Sequence, residues 1–247
     1  MRRAALALIL TVLAIPARAG STNVAVAANF TEAAAAIAAA FKTATRHEAV
    51  LSFGASGALY AQITLGAPFD ILLSADQERP RQLEEAGLTV PQTRFTYAVG
   101  ALTLWSRDGR ATLGEAALKS SAVRKLAIAN PASAPYGEAA IETLQALKLY
   151  DGLKTKIVQG ASIAQTFQFA ETGNADMAFI SLSQVINRGD GGRWLVPQML
   201  YKPILQDAVL LKTGEANEAA KAFMAFLKSD AARFIIERQG YDVKAPR

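Results

Sequence analysis

The chain of 247 residues contains no cysteine and one histidine, His47. Without cysteine there are no disulfides and no attachment point for a lipid anchor, so stability has to come from a buried core. There is no concentrated basic stripe either. The 26 Lys and Arg are scattered among 21 Asp and Glu, whereas a nucleic-acid binder concentrates its positive charge on one face; no nucleic-acid partner is expected. No internal repeat, low-complexity tract or Pro/Gly-rich linker interrupts the sequence, and beyond residue 15 no run is long and apolar enough to cross a bilayer as a helix. The acids Asp70, Asp76 and Asp176 sit in separate segments without metal-ligand spacing, so no metal site is expected, and these residues read as loop and helix caps.

What is present begins with a leader. Arg2 and Arg3 precede an apolar run over 4–15 and the small-residue site Ala17, Arg18, Ala19, the pattern of a cleaved secretory signal peptide over residues 1–19. The run is about a dozen residues, well short of the roughly 20 of a spanning helix. The mature chain is therefore expected to start near Gly20 and to diffuse freely in a periplasmic compartment. Arg2, Arg3 and Arg18 leave with the leader, which brings the formal charge of +5 closer to neutrality.

From Asn23 onward, short apolar runs alternate with helical patterns. Strands are expected at 24–27, 49–53 and 68–73, each followed by a helix, at 31–42, 56–64 and 78–86. A long β-like run at 97–105 precedes a second set, with strands at 125–129, 156–158 and 175–180 and helices at 137–147, 162–172 and 182–187. A second long run at 204–211 leads into two amphipathic helices at 215–228 and 230–239. Such alternation predicts an α/β fold with mostly parallel sheets flanked by helices. Two sets flanked by two long strands predict two lobes, residues 20–98 plus 206–247 and residues 99–205, with a ligand cleft between them.

Four strand-to-helix turns carry small polar residues: Ala28 and Asn29, Ser56 between two glycines, Tyr136 after Pro135, and Ser162 before Ile163. The first turn of a helix has unpaired N–H groups and a partial positive charge, so it attracts anions without a lysine or arginine. Asn29, Ser56 and Tyr136 add side-chain donors. Any one of these turns alone reads as an ordinary N-cap. Two in each lobe read as a cage.

The most specific stretch is SFGASGALYAQI at 52–63, continuing through GAPFD at 66–70 to LSAD at 73–76, with AANF at 27–30 and PYG at 135–137. These residues resemble the periplasmic molybdate-binding proteins of ABC transporters, over nearly the whole mature chain. The resemblance implies the type II periplasmic binding protein fold, a monomer, no cofactor and no catalysis, molybdate or tungstate as ligand, and delivery to an inner-membrane permease. It implies ligation by Asn29, Ser56, Tyr136 and the amide of Ile163, with Ala28, Ser162 and Ser181 as further candidates. Ser181 marks a departure, since many members place a tyrosine hydroxyl after the last strand of the second lobe; here the phenol comes from Tyr136.

Two rival readings remain. A carrier for sulfate or thiosulfate uses the same architecture. A serine hydrolase using Ser56 is suggested by Gly54-x-Ser56-x-Ala58, close to a nucleophile elbow, but the final glycine is missing and His47 precedes the serine, against the order of that fold.

Overall fold

The computed structural model describes residues 19–243. The expected leader lies outside the described residues, apart from Ala19. Nineteen regular elements follow: β1 (Ser21–Ala27), α1 (Thr31–Thr45), β2 (Glu48–Gly54), α2 (Ser56–Thr64), β3 (Ile71–Leu73), α3 (Glu78–Glu85), β4 (Phe95–Gly100), β5 (Leu102–Ser106), α4 (Glu115–Lys119), β6 (Leu126–Ala129), α5 (Pro135–Ala146), α6 (Tyr150–Leu153), β7 (Ile157–Gly160), α7 (Ile163–Glu171), β8 (Met177–Ser181), β9 (Gly192–Leu195), β10 (Ile204–Leu210), α8 (Glu218–Leu227) and α9 (Asp230–Arg238).

The strands form two five-stranded sheets, ordered β2-β1-β3-β10-β4 and β7-β6-β8-β5-β9. In each, three parallel strands carry the α/β alternation; an antiparallel strand, β10 or β5, pairs with their edge and is itself paired antiparallel with an outer strand, β4 or β9. The sheets are thus mixed, because one strand in each, β10 in the first and β5 in the second, runs against the other four. The run expected as one strand at 97–105 is two. It breaks at Ala101, and β4 belongs to the first sheet while β5 belongs to the second. The change of sheet falls a few residues beyond the boundary expected at 98/99, because the apolar pattern continues unbroken through the crossing. The chain comes back to the first sheet with β10.

Two other expectations change. The helix expected at 182–187 is a single 3-10 turn, Leu182–Gln184, closed by a capping box in which the Ser181 N–H donates to Gln184 Oε1 at 3.1 Å. The strand β9 had no counterpart in the sequence reading; four residues after a Gly-rich turn give too short a period to register.

Helix α1 shows how the core of the first half is specified. Ala33, Ala34, Ile37 and Phe41 recur at helical spacing and are buried together with Val24 and Val26 of β1. Phe41 meets Phe223 of α8 edge-on, with ring centroids 5.2 Å apart. Arg46 closes the helix in the left-handed region, φ 67°, its N–H on the Lys42 carbonyl. The core of the second half is continuous with the cleft. Leu104, Leu126, Ile128 and Phe179 cluster with Tyr136 and Ile163, and Ala27, Ala28, Ala55 and Ala75 of the first half join them.

Candidate functional site

Between the two halves lies a small cavity lined by Ala28, Asn29, Ser56, Tyr136 and Ile163 with the small residues Ala27, Gly54, Ala55, Ala75, Ala134 and Pro135. No charged residue lines it. A larger groove farther along the cleft is bordered by Asp76, Glu78, Glu138, Glu142 and Lys202, and its acidic rim repels an anion.

The helix starts around the small cavity are unusual in what stands at their caps. Ala55 precedes α2 and Ala134 precedes α5, both in extended conformation, and neither helix receives a side-chain cap. Ser, Thr, Asp or Asn in such a place stabilises a helix by about 1 kcal/mol. Alanine forgoes that and leaves first-turn N–H groups for another acceptor. One is taken across the cleft, where the Gly57 N–H donates to the Ser133 carbonyl at 2.9 Å. In α5, Pro135 at the first position has no N–H to satisfy. Helix α7 is different, since the Ser162 hydroxyl accepts from the Gln165 N–H at 3.3 Å. That bond occupies Ser162 as a cap; its side chain stands outside the cavity lining, while Ile163, the first helical residue, is part of it.

The hydroxyls are held by what donates to them. Ser56, 1% exposed, accepts the Ala75 N–H at 2.9 Å, which leaves its own proton for the cavity. Tyr136, equally buried, accepts from Ser181 Oγ at 3.0 Å and from Gln206 Nε2 at 3.3 Å. Burial pushes its phenol well above the usual tyrosine range, reinforced by nearby Tyr241 and partly offset by the Ser181 bond. The phenol is a neutral donor at any ordinary pH. Ser181 is fully buried behind Tyr136, outside the lining.

Asn29 departs from the expectation that its side chain donates into the site. Its amide nitrogen donates to Gln206 Oε1 at 2.9 Å and to the Tyr241 hydroxyl at 3.0 Å. Both hydrogens are occupied, so the Asn29 side chain has none left to donate into the cavity. Gln206, Tyr241 and Ser183 were missed by the sequence reading. Gln206 had a signal: it is a polar residue inside the apolar run at 204–211, fully buried in β10, and a buried carboxamide has to find partners. Ser183 donates to the Asn29 carbonyl from the other half at 2.9 Å, a link with no trace in local sequence.

The acids are engaged elsewhere. Asp70 accepts from the Asn23 N–H, Thr22 and Asn217, Asp76 holds the start of α3 through Arg79, and Asp176 accepts the N–H groups of Arg124 and Lys125. His47 accepts the Gly20 N–H and stacks on Phe41. Neither it nor Ser56 has the other as a partner, so the arrangement lacks the serine–base pair of a hydrolase.

A sequence model of the family described as bacterial extracellular solute-binding protein matches residues 22–242. A molybdate-binding protein ModA of Rhodobacter capsulatus is 52% identical over 237 residues, covering 96% of this chain and 94% of the relative. One from Azotobacter vinelandii is 48% identical over 236 residues, 94% of each chain. Among solved structures, an Azotobacter vinelandii periplasmic molybdate-binding protein superposes with a TM-score of 0.87 at 36% identity, covering 91% of this chain and 100% of its own.

Proposed function

The chain belongs to the bacterial extracellular solute-binding proteins, and from that premise we propose that it is a periplasmic carrier of molybdate, delivering the ion to an ABC importer. Tungstate, of nearly the same size and charge, is a second ligand. The relatives that share about half of its residues are named for molybdate, and the observation that carries the reading is the cavity itself, which offers donors from both halves and no charged side chain.

In this reading Ser56 and Tyr136 donate through their hydroxyls, and the amides at Ala28 and Asn29, in the 3-10 turn ahead of α1, and at Ile163, the first residue of α7, supply the rest. A dianion there is stabilised by charge-assisted hydrogen bonds, each about 1.5 to 3 kcal/mol, and by the positive ends of the helices. Phosphate at neutral pH keeps a proton. A cage made only of donors leaves that proton unpaired, at a cost of about 1 to 3 kcal/mol. Sulfate has molybdate's charge and no proton, so only cavity size separates the two. Residues 20–98 plus 206–247 and residues 99–205 act as lobes that close over the ion about the crossings near Tyr97 and Leu205. The protein works as a monomer, and the closed form is what the permease receives.

Thermal melting with molybdate, tungstate, sulfate and phosphate tests this. A ligand at 100 times its dissociation constant adds about 2.7 kcal/mol to stability. Molybdate and tungstate are expected to raise the melting temperature strongly, sulfate little and phosphate not at all. An equal or larger shift with sulfate assigns the site to the rival carrier function.

A further inference from the structure

We infer that Gln206, which stands outside the cavity lining, is a positioning residue that decides which oxyanions the site accepts. By donating to the Tyr136 oxygen it commits the phenol proton to the ligand and removes the one lone pair that a protonated anion needs. This rests on the oxyanion-binding reading above.

The orientation of the Gln206 amide follows from a chain of bonds that starts at a backbone carbonyl. The Tyr241 hydroxyl lies 2.6 Å from the Asn29 carbonyl oxygen, which only accepts, so the Tyr241 proton goes there. Tyr241 then accepts from the Asn29 side chain, which identifies the atom 3.0 Å away as the amide nitrogen. The second hydrogen of that nitrogen reaches Gln206 at 2.9 Å, which makes the atom it meets Oε1. The remaining end of Gln206 is therefore the NH2 group, and it donates to Tyr136. Ser181 donates to the same oxygen. With both acceptor positions filled, the phenol turns a donor toward the cavity.

Gly100 makes this contact possible. A Cβ at Gly100 would lie 2.1 Å from the Tyr136 hydroxyl and 2.6 Å from Gln206 Nε2. The residue at which the chain is about to change sheets therefore has to lack a side chain. A hydroxyl is ordinarily both donor and acceptor, and one free lone pair on Tyr136 would be enough to receive the proton of hydrogen phosphate. Ser56 accepts one hydrogen bond, from the Ala75 N–H, whereas Tyr136 accepts two, so Tyr136 is the hydroxyl at the cavity whose acceptor positions are filled.

The test is calorimetry on the full chain at neutral pH with molybdate, sulfate and phosphate, the last in large excess, for wild type, Gln206→Met, Gln206→Glu and Ser181→Ala. Methionine keeps the shape and removes the donor, while glutamate keeps the shape and accepts the phenol proton. Gln206→Met is expected to lose about ten-fold for molybdate and for sulfate, which carries no proton, and to bind phosphate as well as or better than wild type, so that the molybdate-to-phosphate ratio falls about ten-fold or more. Gln206→Glu is expected to lose at least ten-fold more molybdate affinity than Gln206→Met. Ser181→Ala is expected to shift the ratio in the same direction, and it carries the test if Gln206→Met does not fold. A Gln206→Met protein that weakens all three anions in parallel, or a Ser181→Ala protein with the wild-type ratio, overturns the inference and leaves the molybdate reading intact. Wild-type protein that binds none of the three overturns that reading itself.

Discussion

Ser56 and Tyr136 reach the cavity from opposite halves, and each is a hydroxyl whose oxygen already accepts a hydrogen bond from the protein. Ser56→Ala and Tyr136→Phe each remove one donor with little change of shape, and each is expected to weaken molybdate binding by about 0.5 to 3 kcal/mol in calorimetry. Circular dichroism should show both variants folded. The buried tyrosines also set an alkaline limit. Burial raises Tyr241 to about 12, against the opposing bonds from Ser183 and Asn29, and burial raises Tyr97 and Tyr136 as well. The folded protein then holds these protons more tightly than the unfolded chain, whose phenols titrate near 10. For Tyr241 that contribution is complete below about pH 10 and is lost as pH rises toward about 12. The melting temperature is expected to fall over that window, and less steeply in Tyr241→Phe.

Among the elements, capping separates helix starts that serve the fold from those that serve the cavity. Helix α8 begins at Asn217, whose side chain accepts from the Ala219 and Ala220 N–H groups while its own NH2 donates to the Ser21 carbonyl and to Asp70. Nothing there faces the cleft. Asn217→Ala is expected to destabilise the protein by about 1 to 2 kcal/mol in denaturant titration, the upper range for a lost cap, with molybdate affinity unchanged. At α2 and α5 alanine stands where a cap would be, and the donors are left unclaimed by any side chain. The sequence held this contrast, as Asn217 against Ala55 and Ala134, yet it becomes meaningful only once two helix starts are known to face each other. Strand β9 and the 3-10 turn after Ser181 were less legible, because elements of three or four residues carry no measurable period.

On the scale of the whole molecule, the halves are joined by the apolar cluster around the cavity, by the Gln206–Tyr136 bond and by further hydrogen bonds. The Gly57 N–H meets the Ser133 carbonyl, Arg79 reaches the Ala132 carbonyl, and Ser183 joins Asn29 and Tyr241. A Cβ at Gly57 would lie 3.0 Å from the Ser133 Cα, on backbone that has little room to give. Gly57→Val is therefore expected to hinder closure without unfolding either half. Small-angle scattering should show wild-type protein becoming more compact with molybdate and the variant failing to do so, with affinity about ten-fold lower and ligand-free melting unchanged. A variant that closes normally would remove this contact from the closure mechanism.

The order of elements, the α/β class and the four polar turns were written in local sequence, because helix and strand periods and turn residues act over a few neighbours. The structure gathers Ala28, Asn29, Ser56, Tyr136 and Ile163 around one cavity. Local sequence was silent on which atom of each residue is free to bind. Asn29 read as a side-chain donor until Gln206, 177 residues away in the chain, and Tyr241, 212 away, proved to take both of its hydrogens. Ser181 read as a candidate ligand and stands instead behind Tyr136. Residue type determines what a group can donate or accept, and only the tertiary structure decides which partner takes it, because those partners come from segments far apart in the chain that meet only when it is folded.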